Sequence, residues 1–116
     1  VVRPTVRERD GLAMSSRNVF LSTNERRLAP VFYQALLAGQ RAAETGVTDP
    51  EMVKAMMRNV VGAQPAIRID YLAICDPDTL EPLDRIDRQA VILGAIRLGS
   101  VRLIDNVLTR RRSGSS

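Results

Sequence analysis

The chain has 116 residues, 45% hydrophobic and 26% charged, with a formal net charge of +4, which suits one domain with a modest core and argues against disorder. It has no His and no Trp, and Cys75 is its single cysteine, which excludes Ser-His-Asp and Cys-His catalysis, an internal disulfide and the usual zinc site. No apolar run reaches membrane-spanning length and no signal-peptide layout opens the chain, so a reducing, cytoplasmic setting is the default.

Residues 1–21 read as an extended approach followed by a polar loop. Asp10-Gly11-Leu12-Ala13-Met14-Ser15-Ser16-Arg17-Asn18 places two adjacent hydroxyls, a guanidinium and an amide behind a glycine turn. Few of these residues favour strand or helix. The composition suits a mobile loop that wraps an anion, above all a polyphosphate. The loop stands so early in the chain that a preceding part of the natural protein is expected to be missing.

Ser22-Thr23-Asn24-Glu25 matches a capping box. Leu28, Phe32, Ala35, Leu36 and Ala42 follow on one helical face, so a helix is expected to run to about Thr45, where Gly46 stops it. Pro30 removes a backbone donor inside it and should kink it. A second helix begins at Asp49-Pro50-Glu51, with an acidic N-cap and proline at its first position. Its expected apolar stripe is Val53, Met56, Met57 and Val60, and Met52, Met56 and Met57 are assigned to core packing rather than to a plastic binding groove.

Ile67 to Ile74 begins in alternation and reads as a strand with one buried face. Asp76-Pro77-Asp78 is turn chemistry, with both carboxylates placed to bond nearby amides. Residues 79–88 form a charge-rich connection. Ala90 to Ile96 is apolar on both faces and belongs mid-sheet. Gly99-Ser100 then has the spacing of a two-residue hairpin leading into Val101-Arg102-Leu103-Ile104. With Leu98 facing Val101, Arg97 stands opposite Arg102, and like charges so placed cost stability. Solvent is the default outlet for that pair, with Asp70 or Asp76 as the second choice. The expected fold is α+β, with two helices packed on one face of a three-stranded antiparallel sheet.

Of the 17 basic residues only Lys54 is a lysine, and Arg110-Arg111-Arg112 precede a Ser/Gly end with the composition of an added sequence. Residues 109–116 therefore read as a basic, flexible tail. An Arg-rich nucleic-acid-binding module is the alternative reading of the whole chain. An aromatic fraction of 3% gives it little to stack on bases. A third reading, self-association, draws on exposed sheet edges.

Pro4-Thr5-Val6-Arg7 and the Asp10–Asn18 stretch closely resemble the start of the C-terminal domain of the pantothenate synthetase (pantoate–beta-alanine ligase) family. The resemblance continues through Asp70-Tyr71-Leu72, Asp76-Pro77-Asp78-Thr79-Leu80, Ala90-Val91-Ile92-Leu93 and Arg102-Leu103-Ile104-Asp105-Asn106. It covers residues 1–108, divided as loop (1–21), helices (22–63) and sheet (66–108). It implies ATP-dependent joining of pantoate to beta-alanine through a pantoyl-adenylate, in pantothenate and coenzyme A biosynthesis.

The resemblance also implies a larger N-terminal nucleotide-binding domain that holds the HIGH-like histidines, the pantoate pocket and the homodimer interface. A chain without histidine cannot contain that motif, so it is expected to be the ATP-lid domain alone, inactive without its partner. Met14-Ser15-Ser16-Arg17 matches the family's counterpart of the KMSKS loop, although arginine and serines replace the lysines. Ser15, Ser16 and Arg17 are thereby implied to hold the ATP phosphates, and Val6 and Met14 to border the adenine. Asn18 is second rank, since it can equally cap a turn. Mg2+ is implied to accompany ATP without ligands from this domain. No membrane partner is expected.

Overall fold

The computed structural model describes residues 21–62 and 64–109. In chain order they form α1 (Thr23–Leu28), α2 (Pro30–Glu44), α3 (Pro50–Gly62), β1 (Ile67–Cys75), β2 (Val91–Leu98) and β3 (Val101–Leu108). The strands make one antiparallel sheet in the order β1-β2-β3, and the helices lie on one face of it. This is the expected α+β fold.

The capping box is present. Ser22 Oγ accepts from Glu25 N at 3.1 Å, and Glu25 Oε1 accepts from Ser22 N at 2.9 Å. The kink expected at Pro30 is a full break: α1 ends at Leu28, and Ala29 joins it to α2 in right-handed helical geometry. Proline cannot donate to the carbonyl four residues back, so the hydrogen-bond ladder lapses there. Phe32, Ala35, Leu36, Ala42 and Ala43 of α2 point into the core.

In α3, Glu51 N donates to Asp49 Oδ1 at 3.0 Å, the expected cap. Val53 and Met57 of the expected stripe are buried, joined by Val61, and Val60 is half-buried against the core; Met56 is not part of that face. Met52 and Met56 are 54% and 41% exposed, which corrects their assignment to the core. Val53 to Met57 to Val61 advances four residues each time, and that line turns the preceding methionines toward solvent.

The core lies between α2, α3 and the inner sheet face, where Ile74, Ile92, Ile96, Leu98, Leu103 and Val107 are buried. Gly94 of the central strand belongs to that face. A Cβ there would lie 3.0 Å from the Phe32 ring and 3.1 Å from Leu72. Only bare backbone lets the ring approach so closely.

Leu98 pairs with Val101 and Arg97 with Arg102, the register expected from the two-residue turn. Gly99 has φ +59°, and a Cβ on it would collide with the Glu25 carboxylate. The N-terminus of α1 is thus held against the β2–β3 turn. At the other end of the sheet Gln40 Nε2 donates to Leu108 O at 2.7 Å. Thr109, assigned above to the tail, is 4% exposed, with its N–H donating to Ala90 O at 2.9 Å. Thr109 is therefore bonded into the sheet end.

The connection after β1, residues 76–90, opens with a capped turn. Asp76 Oδ1 accepts from Asp78 N at 2.8 Å and from Thr79 N at 3.2 Å. Asp76 alone does this work, whereas both carboxylates were expected to; Asp78 itself is exposed. Leu80 closes the turn at φ 59° with its side chain 54% exposed.

Two substitutions test these backbone constraints by urea denaturation of the 116-residue chain. Gly99→Ala should destabilise it by roughly 1–3 kcal/mol, because it adds left-handed strain to a collision with Glu25. Leu80→Gly should stabilise it by about 0.5–1 kcal/mol, because it relieves left-handed strain at little loss of burial. An unchanged midpoint for Gly99→Ala, or a loss for Leu80→Gly, would contradict the respective reading.

Candidate functional site

The residues singled out from the sequence for ATP, namely Val6, Met14, Ser15, Ser16 and Arg17, lie outside the described residues, as does Asn18. What is described is the frame to which that segment connects. Leu21 packs against the core, Ser22 caps α1, and Glu25 abuts Gly99. The chain therefore joins the domain beside the β2–β3 turn.

A charged cluster stands at the same end of the sheet. Asp70 is the extra residue of a β-bulge, since Ile69 pairs with Ile96 and Tyr71 with the adjacent Ala95. Bulges re-aim side chains, and here the carboxylate reaches two arginines on two other strands. Arg97 Nε donates to both Asp70 oxygens at 3.1 Å, and Arg102 Nε donates to Oδ2 at 2.8 Å. The Arg102 bond, followed by that of Arg97, holds the Asp70 carboxyl below the usual carboxylate range against an opposing effect of desolvation. The Arg102 guanidinium also lies 5.9 Å from the centre of the Tyr71 ring, within cation–π range. The arginine pair expected to discharge into solvent is therefore bridged by Asp70, the second choice.

Arg68 pairs in register with Arg97, so three arginines form one cross-strand row with a single carboxylate among them. The pairing of Arg97 with Arg102 was readable from the hairpin. The contributions of Arg68 and Tyr71 were not, because they depend on the bulge. Its signal was a change of phase, from Ile67 and Ile69 to Leu72 and Ile74.

A recess of about 410 Å3 lies beside the turn after β1 and is lined by Asp76, Thr79, Leu83, Arg85 and Arg88 among others. Asp76 is already committed there to two backbone amides and, at 3.4 Å, to Arg88. Those amide bonds, more than the arginine, keep its carboxyl below the ordinary value. Cys75 is buried, and burial pushes its thiol up despite Lys54, which suits packing and not nucleophilic attack. Among the described residues no group of three or more His, Cys, Asp or Glu could hold a metal ion, and no helix is long and apolar enough to cross a membrane.

The chain can be set beside known proteins on this geometry. The profile of the family described as pantoate-beta-alanine ligase matches residues 1–108. The pantothenate synthetase of Herpetosiphon aurantiacus is 46% identical over 109 residues, which are 93% of this chain and 40% of that protein. That of Syntrophotalea carbinolica is 52% identical over 103 residues, 89% of this chain and 36% of that protein. A crystal structure of pantothenate synthetase from Thermus thermophilus superposes with a TM-score of 0.84 at 46% identity, covering 92% of this chain and 38% of that one. The chain thus spans about two fifths of the length of the relatives it matches. Fold, profile and relatives agree, and the chain belongs to the pantoate–beta-alanine ligase family.

Proposed function

We propose that this chain is the C-terminal ATP-lid of a ligase that condenses pantoate with beta-alanine through a pantoyl-adenylate, releasing AMP and diphosphate. The observation that carries the reading is the family match over residues 1–108, which includes the Met14-Ser15-Ser16-Arg17 loop. In this reading two serine hydroxyls donate to phosphate oxygens, and the Arg17 fork supplies a fixed charge where negative charge develops as diphosphate departs. Donors aimed at a developing anion act most strongly once water is excluded, so the loop works only when closed over a complete site. Val6 and Met14 border the adenine.

Pantoate and beta-alanine bind mainly to an N-terminal nucleotide-binding domain, which also forms the homodimer. Mg2+ travels with the ATP phosphates, and this domain contributes no ligand to it. The lone, buried Cys75 suits a reducing cytoplasm. The described frame is consistent with a lid: Leu21, Ser22 and Glu25 fix the point at which the loop leaves the domain.

The 116-residue chain alone should form no detectable pantothenate, and supplying the N-terminal domain in trans should restore activity. In that mixture Arg17→Ala should slow adenylate formation roughly 100-fold. Ser22→Ala, which removes only a helix cap, should cost about 1 kcal/mol of stability and much less rate. Pantothenate formation by the chain alone, or equal losses for the two variants, would overturn the assignment.

A further inference from the structure

The sheet face turned away from the helices carries two adjoining cross-strand rows. Arg68, Arg97 and Arg102 pair in register across β1, β2 and β3, and Tyr71, Ala95 and Ile104 form the next row. Tyr71 is 41% and Ile104 51% exposed, with fully buried Ala95 between them. The ring and the branched chain therefore stand exposed on either side of a covered Ala95. Asp70 takes the Nε of both Arg97 and Arg102, and their terminal guanidinium nitrogens make no further hydrogen bond or ion pair among the described residues. Arg68 makes no ion pair among the described residues.

We propose that this face docks the nucleotide-binding portion of the ligase, whose matching surface is an apolar patch edged by carboxylates. The inference rests on the ligase reading above and names where the two parts meet. Three guanidiniums against one carboxylate leave the row positive, and a like-charge row weakens an isolated sheet. Carboxylates on the partner remove that cost and match the planar guanidinium forks. Tyrosine and arginine are the side chains that carry most energy at protein interfaces. Here strand pairing and Asp70 already hold them, so little ordering remains to oppose binding.

The relatives supply a partner of the right scale, because the matched region is only 40% of one and 36% of another. A second copy of this chain would bring one arginine row against another. Nucleic acid would find a single aromatic ring in the row. The exposed Met52 and Met56 of α3 lie apart from this sheet face and serve as a control surface.

The test compares side-chain labelling in the full-length ligase and in the 116-residue chain, with hydroxyl radicals for Tyr71, Ile104 and the methionines and a dicarbonyl reagent for Arg97. Tyr71, Ile104 and Arg97 should react in the 116-residue chain and lose most of that labelling in the full-length protein, while Met52 and Met56 react alike in both. Arg97→Glu in the full-length protein should return Tyr71 labelling toward the isolated-chain level. Equal Tyr71 labelling in the two forms would overturn the proposal. So would protection in the 116-residue chain that grows with its own concentration, or that appears only on adding RNA. The readout is independent of activity: an inactive full-length protein with Tyr71 protected would refute the ligase reading alone, and an active one with Tyr71 fully labelled would refute the docking surface alone.

Discussion

The contact between the Phe32 ring and the bare backbone of Gly94 sets the distance between the two layers. The central strand is the only one with a neighbour on each side, so whatever fixes a helix to it fixes that helix to the whole sheet. With α2 drawn in at Gly94, Leu36, Val53 and Met57 close the space behind it and are almost wholly buried. Ala29 links α2 to α1 in right-handed helical geometry, and Glu25 of α1 abuts Gly99, the one turn residue that lacks a side chain. Substituting a single hydrogen by a methyl at Gly94 would push on both Phe32 and Leu72, and the displacement would reach the β2–β3 turn through α1.

Much of this was legible because local chemistry left few alternatives. Gly99-Ser100 admits a two-residue turn, and with that turn every pair in β2–β3 follows. Ser22 and Glu25, or Asp49 and Pro50, mark helix starts through groups that need no tertiary partner. The failures share a cause. Met52 and Met56 are apolar and well spaced, but which line of a helix faces inward is decided by the layer it meets. Asp78 has the chemistry of a capping residue, and Asp76 is already nearest to both amides. The bulge escaped because a run of apolar residues conceals a slip of one position, and that slip turns Tyr71 outward.

The candidate phosphate loop, which lies outside the described residues, rests on a different kind of reading. Its hydroxyls, guanidinium and glycine announce affinity for an anion, and nothing in them specifies which anion. Buried apolar periodicity is what ties a residue to an architecture, and a loop that meets its ligand lacks it. Only the ordered blocks downstream narrowed the choice, through resemblance and not through physics. Those blocks are also where the described structure is richest: Asp70 and Tyr71 in one, Arg102 in another, Asp76 and Leu80 in a third.

Helix α1 contributes none of its six residues to the buried set. Its ties include Leu28 packed against the core, the capping box and the abutment of Glu25 on Gly99, while the ladder that would fuse it to α2 lapses at Pro30. A segment so attached opens at lower cost than the core, because none of its own side chains is fully buried and Leu28 is its main apolar contact. Residues 30–109 need not unfold for the chain ahead of them to change direction. The proline that weakens one helix thereby divides the domain into a stable body and a short, releasable arm.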